Sequence, residues 1–197
     1  RKAMKVYELV YSQIYGLGGS VLVTDLNKIK SVSVSGSTYT CTIDTMDGDM
    51  HMNLRVNDVI RVQRSEGLNI RYYYGKITSV STSTFNMTIL SGSDTPATGD
   101  VVFRMGNTSD TTRQGLLYLT SSDSNSPYLD ILDGVTSSTF SGKTKVRIGN
   151  LAGLTVNGTS LSGYGIYIKG GIYENCTYYL SDGKTIETDS YNSSGKL

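Results

Sequence analysis

The sequence has 197 residues and a formal net charge of +1, from 18 basic and 17 acidic side chains. Because phosphate binding needs clustered positive charge, this balance argues against nucleic acid as the main partner. The densest basic stretch, residues 55–71, is diluted by Asp58 and Glu66. No apolar run reaches the ~20 residues of a membrane helix, which argues against membrane insertion. With 15 tyrosines, 22 glycines and only 2 prolines, the composition predicts an all-β protein.

The first 36 residues predict an N-terminal β-hairpin or linker segment. Residues 3–15 fit either a helical face or a strand that enters a turn, and their β-branched and aromatic content favours the strand. Residues 21–24 form a predicted strand. After a turn, residues 28–35 form a second one, in which apolar side chains alternate with polar ones.

Residues 37–106 predict a small β-barrel-like or sandwich domain. Evenly spaced strands are expected at residues 39–44, 59–63, 70–74, 76–80, 85–90 and 101–105. The phrases NDVIRV and GDVVFRM, which begin at Asn57 and Gly99, echo each other. Each places a polar turn before a strand whose alternate residues face the core. The echo is weak and does not indicate a solenoid repeat.

Residues 107–152 predict a β-hairpin unit. Its strands are expected at residues 116–120 and 128–132, around the turn formers of residues 121–126, and the unit ends with a strand at residues 145–148. Residues 153–197, rich in glycine, serine and tyrosine, predict an extended β segment. That segment has little core of its own, so its apolar side chains need the preceding unit or neighbouring chains to cover them.

Candidate catalytic, cofactor and metal sites all have simpler interpretations, so none is predicted. His51 is the only histidine and is expected to be an exposed strand residue. Asp44, Asp47 and Asp49 lack the spacing of a calcium loop and favour a hairpin turn. Asp130 and Asp133 are three apart on a strand and should face opposite ways, which excludes an acid–base pair.

Two further sets of residues draw attention, one of cysteines and one of tyrosines. Cys41 and Cys176 are far apart in sequence, so separate buried thiols are favoured over a disulfide. Exposed tyrosine among serine, asparagine and glycine is typical of adaptable binding surfaces, although tyrosine is also a common strand former. The candidate surface-recognition residues are Tyr72, Tyr73, Tyr74, Tyr164, Tyr167 and Tyr173.

The phrases GNTSDTTRQGLLYLTSSDSNSPYLDILDGV, KVRIGNLAGL and GYGIYIKGGIY follow one another along residues 106–173. In this order they resemble large tail-fibre or tail-tip structural proteins of tailed bacteriophages, encoded by prophages of gut Bacteroidota. The opening residues 1–25 are similar to the segment that precedes them in such proteins. The resemblance implies an internal or C-terminal-proximal piece of a longer chain. It carries no catalytic signature.

The resemblance implies a non-catalytic structural protein of the distal tail, made in the bacterial cytoplasm and located in the virion. It also implies a homo-oligomer, with a trimer favoured, that contacts other tail proteins and a host-surface glycan or protein. It brings no cofactor. The alternative is a carbohydrate-binding or adhesion module of a gut bacterial surface protein, for which tyrosine clusters on a β scaffold would serve equally well. A glycan-depolymerising enzyme is disfavoured, because no acid pair converges in the sequence.

Overall fold

The computed structural model describes residues 20–44 apart from 25, residues 52–66, 69–92 and 94–170, and the strands at 176–179 and 185–188. The predicted all-β class is confirmed, because these residues form strands and a single 3-10 turn, Thr111–Arg113. The strands are β1 Ser20–Val23, β2 Leu26–Ser35, β3 Thr38–Ile43, β4 Asp58–Glu66, β5 Asn69–Val80, β6 Thr84–Ser91, β7 Val101–Asn107, β8 Leu116–Thr120, β9 Tyr128–Leu132, β10 Thr144–Asn150, β11 Thr155–Val156, β12 Thr159–Ser160, β13 Tyr164–Ile168, β14 Cys176–Tyr179 and β15 Thr185–Thr188.

Strands β2 to β7 close into a six-stranded antiparallel barrel in the order β2-β3-β6-β5-β4-β7, which confirms the predicted barrel. Closure removes the free strand edges that an open sheet would expose. The interior is filled by buried apolar side chains, among them Ile60, Ile77 and Phe85. Cys41 is a free thiol in this core, and burial raises its pKa to about 12. Strand β2, which the sequence assigned to the N-terminal segment, is a full member of the barrel.

The barrel consists of two pseudo-equivalent halves, β2-β3-β4 and β5-β6-β7. Exchanging the halves reproduces the strand order, and it also reproduces the register. Val59 pairs with Lys76 as Val101 pairs with Lys28. The local sequences KIKSVS, from Lys28, and KITSVS, from Lys76, differ at one position. This second echo was not predicted from the sequence, although the repeated residues start within β2 and β5, the strands that begin each half.

The echo between the two turn phrases has a structural basis at the start of β4 and β7. Asn57 and Gly99 both adopt positive φ, at 70° and 90°, the left-handed region that Asn and Gly tolerate best. Their backbone amides donate to Ile77 and Ile29, equivalent residues of the two halves, at 2.9 and 2.8 Å. In each turn the next residue is a buried aspartate, Asp58 or Asp100.

The two aspartates anchor their turns in the same way. A carboxylate oxygen of Asp58 accepts from the backbone amide of Arg55 at 2.7 Å, and one of Asp100 accepts from that of Ala97 at 2.9 Å. Each aspartate thus closes a four-residue turn by binding the amide three positions earlier. The buried carboxylate is therefore part of the turn geometry in both halves.

The second sheet has the order β1-β8-β9-β10-β13. Its central hairpin joins β8 and β9 at the predicted residues, with Leu117 opposite Ile131 and Leu119 opposite Leu129. Side chains of β8 alternate strictly between buried and exposed. The buried face, which includes Leu116 and Leu132, packs against the outer wall of the barrel, where Phe103 is completely buried.

The C-terminal segment forms short hairpins, β11 with β12 and β14 with β15. By its internal contacts the chain divides into two units, Arg1–Tyr167 and Ile168–Leu197. The boundaries predicted from the sequence, after residues 36, 106 and 152, stay a prediction. The described residues include no helix that is long and apolar enough to cross a membrane.

Candidate functional site

A cleft of about 360 Å³ lies where the barrel meets the five-stranded sheet. The barrel wall is formed by strands β4, β5 and β7, and the opposite wall by β1, β8 and two loops of the sheet unit. The barrel contributes Arg61, Tyr72, Tyr74 and Met105, and the sheet unit contributes Ser20, Leu22, Tyr118, Asp123, Ser138 and Phe140. Polar side chains lie among aromatic and apolar ones around the cleft, which therefore offers both hydrogen-bonding groups and ring surfaces to a small molecule.

The barrel wall is organised by cross-strand pairing between β4 and β5. Arg61 lies directly opposite Tyr74, and Gln63 lies opposite Tyr72. The Arg61 guanidinium stacks on the Tyr72 ring, with 4.2 Å from its carbon to the ring centroid, and its Nε donates to Gln63 Oε1 at 2.8 Å. The Tyr72 and Tyr74 rings meet edge to face, 6.0 Å apart. These contacts hold Arg61 in one orientation at the cleft surface.

The sheet wall carries a network of hydroxyl groups around Asp123. Tyr118 donates to Asp123 Oδ2 at 2.5 Å, and Tyr128 donates to the same oxygen at 3.4 Å. Burial, and after it the hydrogen bond to Asp123, raises the pKa of Tyr118. Burial and the Asp123 charge raise the pKa of Tyr128 to about 12. Both phenols therefore stay protonated at neutral pH and keep donating.

The three consecutive tyrosines divide between the two faces of β5, as strand geometry requires. Tyr72 is 48% exposed and Tyr74 is half-buried, and both line the cleft. Tyr73 points into the barrel, where it is fully buried and donates to Asp100 Oδ2 at 3.2 Å. The assignment of Tyr73 to a recognition surface is therefore wrong, because neighbouring strand residues cannot share a face.

Neither Tyr164 nor Tyr167 lines the cleft. Tyr164 on β13 is 72% exposed, and Tyr167 on the same strand is half-buried. Tyr173 lies outside the described residues. The structure thus brings Tyr72 and Tyr74 together with Arg61, Tyr118, Asp123 and Phe140, which the sequence did not single out. Arg61 could have been found from the alternation of inward and outward side chains along β4. No local sequence pattern indicates Tyr118, Asp123 or Phe140.

The acidic residues considered for catalysis do not converge. Asp130 is buried and accepts from Arg147 Nε and Nη2 at 2.6 and 2.7 Å. Asp133 is exposed at the end of β9, with Lys145 Nζ 4.0 Å from its carboxylate. Within the described ranges no three histidine, cysteine or acidic side chains cluster as metal ligands would. His51, Asp47 and Asp49 lie outside those ranges.

A second ionic cluster fastens the sheet unit to the barrel near the 3-10 turn. Arg113 donates from Nε and Nη2 to the two carboxylate oxygens of Asp58, at 2.9 and 2.7 Å. Asn107 Nδ2 also donates to Asp58 Oδ1, at 2.9 Å. Because Asp58 is fully buried, these bonds compensate the cost of its burial. The cluster is an anchor for the fold, and its carboxylate is not available to a ligand.

Comparison with known proteins gives no family to carry over. No protein-family model matches the chain, and neither a curated protein nor a solved structure matches it.

Proposed function

We propose that this chain is a non-catalytic structural protein of the distal tail of a phage, in the tail fibre or tip, that assembles with copies of itself and contributes to host-surface contact. The resemblance of residues 106–173 to such proteins gives the biological setting. The proposed assembly rests on the exposed apolar side chains on the outer face of the five-stranded sheet. We refer to it below as the apolar face.

The apolar face is formed by the side chains of β8, β9 and β10 that point away from the barrel. Leu117, Leu119, Ile131 and Ile148 are 38–51% exposed, and the half-buried Leu129 lies between Leu119 and Ile148. An antiparallel sheet with one solvated face normally carries polar side chains there. A contiguous apolar surface of this kind marks an interaction site.

A second copy of the chain is the partner that best fits this face. None of the side chains just named is charged, so two copies can meet there without repulsion between like charges. Hydrophobic side chains in register across three strands form a flat surface, and three copies can turn this surface toward a common threefold axis, where each packs against the other two. In a fibre, such packing would join protomers side by side, and the resemblance favours three of them.

Light scattering during size exclusion tests the proposed assembly. A trimer of the 21.4 kDa chain should weigh about 64 kDa, three times the monomer. The double variant Leu119→Lys with Ile131→Lys should shift the mass toward the monomer while circular dichroism stays unchanged. The matched control, Thr78→Lys on an exposed barrel position, should not. A monomer at all concentrations, or an unchanged mass in the double variant, would contradict the proposal.

A carbohydrate-binding or adhesion module is the second candidate. It is favoured by the cleft, where Tyr72 and Tyr74 lie beside polar side chains as sugar recognition requires. The two candidate functions differ in whether a monomer is expected to bind glycan without associating. Specific glycan binding by a monomer that never associates would favour the adhesion module over the tail protein.

A further inference from the structure

We infer that the cleft between the barrel and the five-stranded sheet binds an acidic pyranose, a hexuronate or sialate unit of a surface glycan. The inference rests on the host-contact part of the proposed function and names its ligand class, but it does not depend on assembly. The inference is carried by groups that line the same cleft: Arg61, which forms no ion pair with a described residue, Asp123, one oxygen of which accepts from none of them, and two aromatic pairs.

Arg61 supplies the group that would bind the ligand's carboxylate. Its Nε is held by Gln63 and its plane by Tyr72, but neither terminal Nη donates to any residue that the structure describes. Four other arginines lie within 4.0 Å of a carboxylate, namely Arg64, Arg71, Arg113 and Arg147. Arg61 therefore differs from them in presenting an oriented, half-buried guanidinium to the cleft, and its two Nη groups match a carboxylate bidentately.

Asp123 favours a ligand that carries hydroxyl groups as well as a carboxylate over a simple anion. Its Oδ2 is occupied by the two tyrosine hydroxyls, while Oδ1 accepts no hydrogen bond from the described residues. The charge of Asp123 repels a doubly charged phosphate about twice as strongly as a singly charged carboxylate at the same distance. The Asp123 carboxylate instead requires donors from the ligand, and sugar hydroxyls supply them. The hydroxyl of Ser138 offers a further partner in the same cleft.

Aromatic rings on both walls suit the apolar face of a pyranose ring. On the barrel wall Tyr72 and Tyr74 form an edge-to-face pair, and on the sheet wall Tyr118 and Phe140 lie 5.4 Å apart, tilted by 56°. The negative face of an aromatic ring attracts the slightly positive C–H groups of a sugar. The cleft volume of about 360 Å³ lies at the lower end of ligand sites, which fits one or two sugar rings.

The test is an NMR titration of the full chain with four probes of defined chemistry: methyl glucuronide, the methyl glycoside of N-acetylneuraminate, methyl glucoside and acetate. At least one of the two acidic glycosides should bind about tenfold or more tightly than methyl glucoside, because the neutral sugar leaves Arg61 unpaired. Acetate should bind no better than methyl glucoside, since it has neither a ring nor hydroxyls.

Two variants and a control link the binding to the cleft. Arg61→Gln should weaken the acidic glycoside by roughly tenfold and leave methyl glucoside unchanged. Tyr72→Ala should weaken the acidic glycoside by roughly 2- to 10-fold through loss of stacking. The control Lys145→Gln removes one positive charge from the sheet unit, outside the cleft, and should change nothing. Circular dichroism of each variant shows whether it has folded.

The outcomes separate this inference from the proposed assembly. Absence of binding by both acidic glycosides, equal binding of acetate, or full binding by a folded Arg61→Gln variant would overturn it. The solution mass of the same sample is an independent readout. A trimer that binds no acidic sugar would contradict the inferred binding site and support the proposed tail protein. A monomer that binds an acidic sugar would support the binding site and contradict the proposed assembly.

Discussion

The two halves of the barrel share their strand pairing and their turns but differ in side-chain partners. Asp58 and Asp100 occupy equivalent turns and make the same bond to the backbone amide three positions earlier. Asp58 is also bound bidentately by Arg113. Among the described residues, the side chains that donate to Asp100 are Tyr73, at 3.2 Å, and Arg64, at the longer distance of 3.4 Å. The comparison indicates that the turn fixes the aspartate, while the surroundings decide how well its charge is compensated.

The largest effect is expected from Asp58→Ala. The change leaves Arg113 without its carboxylate and removes the turn's side-chain acceptor, so it should lower the free energy of unfolding by about 3–5 kcal/mol. Urea unfolding followed by circular dichroism measures the loss. Asp133→Ala, at an exposed carboxylate near Lys145, is the control and should cost less than about 1 kcal/mol. Equal losses for the two variants would show that the Arg113 contact contributes little.

A smaller effect is expected at the equivalent position, with a dependence on pH. Burial raises the pKa of Asp100 above its ordinary value of 3.8. The folded protein therefore holds this proton more tightly, and the contribution of Asp100 to stability falls as pH rises from that value through the raised pKa. Asp100→Asn should cost about 1–2 kcal/mol at pH 7 through the weakened bonds to Ala97 and Arg64.

Unfolding curves between pH 4 and pH 7 test the sign of this effect. The difference in stability between the native chain and Asp100→Asn should be larger at the acid end, because the raised pKa makes the folded protein bind this proton more tightly than the unfolded chain does. A difference that shrinks on acidification would mean that Arg64 compensates the Asp100 charge as fully as Arg113 compensates that of Asp58.

The smallest effects are expected at the residues that precede the two aspartates. Gly99→Ala should cost about 1 kcal/mol, because its φ of +90° is strained for a residue with a Cβ even though nothing lies within 4 Å of the added atom. Asn57→Gly relieves such strain but loses a hydrogen bond of 3.0 Å to Ser109, so its net effect should stay within about 0.5 kcal/mol. Thermal melts compare both variants with the native chain. A melting temperature of Gly99→Ala as high as that of Asn57→Gly would mean that the turn before β7 does not need glycine.

Local features of the fold followed from the sequence, and long-range ones did not. Strands β8 and β9 lie at their predicted residues, because a run of strand formers is bounded by turn formers on both sides. The place of β2 in the barrel was missed, since it depends on pairing with β7 about 75 residues later in the chain. No periodicity within one strand encodes such a pairing.

The candidate site was less predictable than the fold. Alternation along β5 required at least one of Tyr72, Tyr73 and Tyr74 to face outward, but which one depends on the register with β4. The cleft also needs Tyr118 and Asp123, which are brought to the barrel by packing of a different sheet. The prediction for residues 3–15 lies outside the described residues, as do those for His51 and Tyr173.

The duplicated barrel has a consequence for how a binding surface can arise. Two identical three-stranded chains could form this barrel as a symmetric dimer, in which every outward position would occur twice and be identical. In a single chain the barrel folds independently of concentration, and its two halves can carry different residues at equivalent positions. The strand position that holds Arg61 in one half holds Phe103 in the other, and these two residues lie opposite each other. Phe103 thus supports the added sheet, whereas Arg61, at the equivalent position of the other half, faces the cleft.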